Sequence, residues 1–195
     1  MKLNSSFYLR DDVVQISREL LGKVLCTSIN GGVTKAVITE TEAYAGVGDR
    51  ASHAWSGRPT KRTEPMFREG GTAYVYLCYG IHHLFNVVTA EAGTPHAILV
   101  RAGQPLQGMS LMKKRRRQAT DKSLLSGPGS LAQALGITTR ATGESLLGSR
   151  IWIEDQGIEF DERLIRTGPR IGVDYAGKDA ARPYRFIVRD PGREA

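Results

Sequence analysis

The chain has 195 residues, 41% hydrophobic and 24% charged, with a net charge of +7, enough to bury a sizeable core in one domain. No window approaches the roughly 18 apolar residues of a membrane span, and the N-terminus MKLNSSFYLRDD lacks the apolar stretch of a secretory signal. A sequence pI near 9.6 favours polyanionic partners, nucleic acid above all.

Leu9, Val13, Ile16 and Leu20 recur at helical spacing. Asp11 or Asp12 can cap this helix, and Gly22 ends it. KVLCTSI then reads as a strand, NGG (30–32) as a turn and TKAVITETEAY as the returning strand. From Ala45 to Gly71 runs a stretch of Gly, Pro, Arg and Thr with little periodicity. Loops of that length in a compact domain are usually functional or disordered. TAYVYLCYGIHHLFNVV (Thr72–Val88) sets two apolar, aromatic runs about a Tyr-Gly pair, which predicts a hairpin, and HAILVRAG follows as another strand. Residues 105–117 read as a helix. SGPGSLAQALG reads as a second, with Ser126 before it, Pro128 near its first turn and Gly136 after it. RIWIED and YRFIVRD are late strands. Strands grouped in hairpins, with helices between the groups, predict an α+β fold with a mostly antiparallel sheet. No repeat or linker divides the chain, so residues 1–195 are expected to form a single domain.

Several residues along these elements carry chemistry. Strand alternation in VITETEAY puts Ile38, Glu40, Glu42 and Tyr44 on one face. Glu42, at a strand end beneath a long loop, is placed to act as a general base; the plainer reading is a solvent-facing glutamate. In the hairpin, Tyr74, Tyr76 and Cys78 share one face of the first strand, and Leu84, Asn86 and Val88 share one face of the second. An asparagine buried in such a run needs hydrogen-bond partners, either neighbouring backbone or the polar edge of a ligand. Arg101 ends the apolar run AILVR as a salt-bridged surface residue or as a site cation. By pattern alone, the Tyr79 ring folds back onto the strands.

Cys26 and Cys78 read as reduced core thiols of an intracellular protein. His53, His82, His83 and His96 fall in no metal-ligating spacing, and adjacent His82 and His83 would point to opposite strand faces, so no metal site is expected. Neither a P-loop nor a dinucleotide fingerprint is present. GRPTKR, followed by Arg68, and KKRRR at 113–117 are either phosphate contacts or solvated surface.

The segments TETEAYAGVGDRASHAWSGR and MFREGGTAYVYLCYGIHHLFNVV resemble the alkyladenine (3-methyladenine) DNA glycosylases of the mammalian and Bacillus type. Glu-Ala-Tyr, a histidine eleven residues after the glutamate, YVYLCYG, and an asparagine seven residues after its last tyrosine come in the family's order. ILVRAG, SGPGSLAQALGI, RIGVDYAG and RPYRFIVRD extend the match over nearly the whole chain.

The resemblance implies a curved sheet core with surrounding helices and a protruding hairpin. It implies a monofunctional enzyme of base excision repair that flips alkylated or deaminated purines from duplex DNA and hydrolyses the N-glycosidic bond. In that reading Glu42 is the general base, and Arg101 and the carbonyl of Ile171 help it hold the attacking water. Tyr44, His53 and Tyr76 line the base pocket, Asn86 sits at its floor, and Tyr79 is the intercalating wedge. Arg58, Lys61 and Arg62 of the basic GRPTKR cluster are the expected DNA-backbone contacts. No metal or organic cofactor is required. Double-stranded DNA is the partner of a monomeric, cytoplasmic, nucleoid-associated protein of bacterial form. The chemistry is coherent, because a carboxylate both stabilises an oxocarbenium-like transition state and takes a proton from water. The competing expectation is a non-catalytic module that binds DNA or RNA.

Overall fold

The architecture is organised by β2 (Gly32–Tyr44), the longest strand. The structure is a computed structural model that describes residues 1–117 and 119–189; Asp190, the last residue of the predicted YRFIVRD strand, lies outside them. β2 pairs with β1 (Val24–Ile29) along its first half, with β8 (Arg185–Val188) along part of its second, and with β5 (His96–Gln107) along most of its length. The sheet runs β3 (Ala73–Cys78), β4 (His82–Thr89), β5, β2, β1, β6 (Ile151–Glu154), and β7 (Ile165–Gly168) joins through β8. Every pairing is antiparallel. The fold is α+β, with a curled antiparallel sheet and the helices gathered about it.

Local chemistry explains the joints. Asn30 and Gly31 both adopt left-handed backbone, with φ 54° and 74°, the pair that a tight β1–β2 hairpin turn needs. Helix α2 (Val13–Glu19) starts where the Asp12 carboxylate accepts the Gln15 N–H at 2.9 Å, a cap worth about 1 kcal/mol. A short helix, α1 (Ser5–Tyr8), precedes it and claims Leu9 as its C-cap, so Leu9 is not part of the predicted α2 stripe.

The main core lies on one face of the sheet. Leu25, Ala36, Ile38, Ala43, Val75, Phe85, Ile98 and Val100 pack there against Ile16 and Leu20 of α2 and against Leu131 and Leu135 of α4 (Pro128–Leu135). This corrects one expectation. Ile38 does not share a face with Glu40, Glu42 and Tyr44. Register shifts on both sides of Glu40 mark a bulge, which inserts a residue and resets the alternation. Ile38 and Ala43 therefore both face the core, while Glu40 and Glu42 face the opposite side.

Three other expectations shift. Residues 105–107 are strand, because Lys35 of β2 still pairs with Gln107. Helix α3 (Met109–Arg116) begins only after Gly108, which breaks the strand at φ 80°. The N-cap of α4 is Gly127 rather than Ser126, although Pro128 and Gly136 fall where predicted. β7 has too little alternation to be seen in sequence and forms because β8 offers it an edge. Cys26 is a core thiol, its pKa pushed up to about 12 by burial, but Cys78 is half-buried and lines a cleft instead. Among the described residues, no helix is long and apolar enough to cross a membrane.

Candidate active site

The face of the sheet opposite the main core carries the site. Its register puts Glu42 (β2), Leu99 (β5), Asn86 (β4) and Tyr74 (β3) in one row across four strands. With strands about 4.8 Å apart, that row spans about 14 Å. The 45–71 loop lays His53 and Arg62 over this floor, and the segment after Arg170 brings Ile171. Between them is a cleft of about 520 Å³, within the ordinary size of a small-ligand site.

Glu42 is fully buried behind Tyr44, Arg101 and Ile171, which line the cleft. Its Oε1 accepts the Ile171 N–H at 2.8 Å, and its Oε2 accepts the Tyr44 hydroxyl at 2.8 Å. Arg101 Nη1 lies 3.3 Å from Oε2. Ile171 thus reaches Glu42 through its N–H, a contact additional to the carbonyl role that the family resemblance implies. Arg101 also donates from Nε to Glu40 at 2.7 Å, and Arg185 Nε donates to the same Glu40 oxygen at 2.7 Å. Burial works against the Arg101 charge, but the two carboxylates outweigh it and raise its pKa. Burial, and then Glu42, raise that of Tyr44, which keeps its hydroxyl a donor.

Behind these groups lies a second buried pair. The Arg170 guanidinium bonds the Asp49 carboxylate through both terminal nitrogens and donates to the carbonyls of Ala43 (2.9 Å) and Asp179 (3.0 Å). It also lies 4.8 Å over the Tyr44 ring. Asp49 accepts the N–H groups of Ala45 and Ala51. Burial opposes ionisation of Asp49, yet the bonds from Arg170 and the backbone hold its pKa below the usual value. This pair ties the start of the long loop to the 170–172 segment, and so places two of the partners of Glu42, Tyr44 and Ile171.

The aromatic wall is built from β3 and the loop. His53 meets Tyr76 edge to face at 4.6 Å, and Tyr74 and Tyr76 lie 5.6 Å apart. His53 Nδ1 is 2.9 Å from the Tyr74 hydroxyl, and its Nε2 is 3.2 Å from Arg62 Nη2. A guanidinium only donates, so Nε2 accepts and Nδ1 carries the proton. Desolvation of the ring among the tyrosines, and then the neighbouring Arg62 charge, lower the His53 pKa to about 4. At neutral pH this ring therefore presents an acceptor to the cleft. Asn86 is buried, with Nδ2 donating to the carbonyls of Tyr74 (3.1 Å) and Leu84 (3.3 Å). Its Oδ1 has no hydrogen-bond partner among the described residues.

At the lip, Tyr79 is 92% exposed. It also holds φ 50° beside Gly80 at 74°. Left-handed backbone at a bulky residue is strained, and the ring does not fold back onto the strands. Leu77 and Ile81 are exposed next to it.

Among the basic residues, Arg58 and Lys61 project from the surface, whereas Arg62 turns inward onto Tyr76, 5.0 Å from the ring. Arg68 is bound to Glu64. In KKRRR, Arg115 satisfies the carbonyls of Ile29 and Ala134, Arg116 bonds Gln133, and Lys113 pairs with Asp121. That run is largely structural. His83 accepts the Thr139 N–H, and among the described residues no three His, Cys, Asp or Glu side chains gather to hold a metal.

Sequence reasoning missed Arg170 and Asp49 altogether, and placed Glu40 on the face of Glu42 without giving it a role. The only signal for Arg170 is its place beside Ile171 in the RIGVDYAG segment. Tyr74 was seen on the correct face but not as the partner of His53.

A buried carboxylate behind an aromatic cleft, with an exposed ring on a hairpin at its lip, suits an enzyme that works on one base withdrawn from a nucleic-acid stack. Comparison with known proteins narrows this. A family model described as methylpurine-DNA glycosylase (MPG) matches residues 6–191. A Chlamydia felis protein provisionally named a 3-methyladenine DNA glycosylase is 45% identical over 188 residues, covering 95% of each chain. A like-named Chlorobaculum parvum protein is 44% identical over 192 residues, covering 97% of this chain and 89% of its own. One from Bacillus cereus strain G9842 is 42% identical over 199 residues, covering 97% and 96%. Fold, site and relatives together define a DNA glycosylase, a hydrolase of N-glycosyl bonds. Within that class, the chain belongs to the methylpurine-DNA glycosylase family.

Proposed function

We propose that this protein is a monofunctional glycosylase that extrudes alkylated or deaminated purines from duplex DNA and hydrolyses their N-glycosidic bonds. The observation that carries this reading is Glu42: a buried carboxylate oriented by Ile171 N–H, Tyr44 hydroxyl and Arg101 at the wall of an aromatic cleft. Tyr79 enters the base stack as the target leaves it, and the base stacks among Tyr44, His53 and Tyr76 over Asn86. Glu42 then takes a proton from a water held with Arg101 and the Ile171 carbonyl. Its charge offsets the positive charge developing at the sugar. Cationic alkylpurines leave without an acid, and cation–π attraction to Tyr44 and Tyr76 favours them. Among the described residues, the cleft lining includes no lysine, in keeping with hydrolysis rather than Schiff-base chemistry. Arg58 and Lys61 hold phosphates, and the protein acts as a monomer on double-stranded DNA.

The test is incubation with duplexes carrying one 7-methylguanine, hypoxanthine or ethenoadenine, with and without chelator. Release of free base and an abasic site is expected in both cases. Glu42→Gln should bind these duplexes and excise them about 10²–10⁴-fold more slowly, the ordinary contribution of a general base. Release of no damaged purine would leave only a nucleic-acid-binding module. Wild-type rates from Glu42→Gln would remove Glu42 as the base.

A further inference from the structure

The cleft already holds one of the protein's own side chains. The Arg62 guanidinium lies 5.0 Å over the Tyr76 ring and 3.2 Å from His53 Nε2, where the proposed function seats a base. A planar cation on an aromatic face is also what an N-alkylated purine presents. The two cannot share that face.

We propose that Arg62 is a displaceable occupant of the base pocket: a base enters as the guanidinium leaves Tyr76 and His53 for a DNA phosphate, so every base meets the cost of that exchange before it is seated. The substrate side of this inference rests on the glycosylase reading above.

Three features support the exchange. First, Arg62 is exposed and has no acidic partner among the described residues. Only neutral groups hold it, the His53 imidazole, the Tyr74 hydroxyl and the Tyr76 ring, and a phosphate forms a stronger, charge-assisted contact. Second, its backbone need not move. The turn beneath it is fastened by Thr60 N–H to Thr63 Oγ1 (2.9 Å), Thr63 N–H to Thr60 Oγ1 (3.2 Å) and Glu64 N–H to the Thr60 carbonyl (2.8 Å). Only the side chain swings, towards the exposed Arg58 and Lys61. Third, an entering base covers the Tyr76 face that Arg62 uncovers, so no aromatic surface is left bare. The cost of moving Arg62 is the same for every base, and Arg62 therefore sets a common threshold for entry.

Two measurements test this. In the free protein, Arg62→Ala should shift the His53 Nε2 resonance and raise the pH at which the ring titrates. Unchanged imidazole nitrogen shifts would overturn the proposal whatever the enzyme does to DNA. In single-turnover excision of 7-methylguanine and hypoxanthine from otherwise identical duplexes, Arg62→Ala should change both rates by the same factor, because the displaced contact is the same for each. Arg62→Lys keeps the charge but not the plane, so it should shift the His53 Nε2 resonance as Arg62→Ala does while keeping the salt dependence of binding. A salt slope unchanged in Arg62→Ala would mean that the guanidinium never reaches a phosphate and would overturn the exchange. If the wild-type protein releases neither base, the glycosylase reading fails, and the imidazole measurement still decides whether Arg62 occupies the pocket.

Discussion

Tyr79 holds φ 50° at the hairpin tip, a left-handed conformation that costs a non-glycine residue about 1–2 kcal/mol. Its side chain is 92% exposed, so removing the ring forfeits almost no burial. In Tyr79→Gly that strain is relieved, while the looser unfolded chain takes back about 0.5–1 kcal/mol. The net gain is about 0.5–1 kcal/mol, or about 1–4 °C in Tm for a chain of this length. The same change removes the wedge. A base stacked on an aromatic ring is worth about 1–3 kcal/mol, so excision from duplex DNA should fall about tenfold to a hundredfold. Scanning calorimetry and single-turnover excision of hypoxanthine, run on one preparation, give both numbers. A variant both more stable and less active is expected. A lower Tm would mean that the ring is packed rather than strained. Unchanged excision and lesion affinity would mean that it never enters the duplex.

Arg170→Met strands the buried Asp49 carboxylate and should cost about 3–5 kcal/mol in urea unfolding; a loss below about 1 kcal/mol would show that the pair does not support the site. Asp49 binds its proton less readily when folded, so its stabilisation is complete at neutral pH. It is lost as pH falls below about 4, through the depressed folded pKa; Asp49→Asn should remove that part of the acid sensitivity. His53 works from a different pH. Its folded pKa of about 4 lies below the ordinary 6.5, because packing against Tyr74 and Tyr76 partly desolvates the ring and Arg62 faces it. The unfolded chain therefore takes the proton first, and stability declines between pH 6.5 and about 4. Urea midpoints of His53→Gln across that range should decline less steeply; an identical decline would remove His53 as the cause. Arg58→Ala and Lys61→Ala should each lower the slope of log affinity for duplex DNA against log salt by about 0.9. An unchanged slope would exclude that residue from the phosphate contacts.

Much of the site was readable because it is written in local pattern. Alternation put Tyr74 and Tyr76 on one face of the first hairpin strand and Asn86 on a face of the second with Leu84 and Val88, leaving the register to join the two, and the spacing of EAY, the histidine and YVYLCYG identified the family. The Asn-Gly turn and the Asp12 cap were legible for the same reason, since each rests on residues a few positions apart. Helix starts fared worse. Ser126 looked like a cap, yet the backbone of Gly127 took that position.

The sequence by itself determined the family, the antiparallel hairpins and the residue types the chemistry needs, because those depend on intervals of a few residues. Tertiary structure alone decided how they face. The bulge beside Glu40 leaves no mark in composition, yet it sends Ile38 to the core and Glu42 to the cleft. The ion pair of Arg170 with Asp49 joins residues 121 positions apart, and no local periodicity records such a pairing. Arg62 sits in a basic cluster that reads as surface, but a neutral imidazole and an aromatic face draw it inward. Which side of a sheet a residue meets, and which charge finds it there, is settled only when distant segments pack.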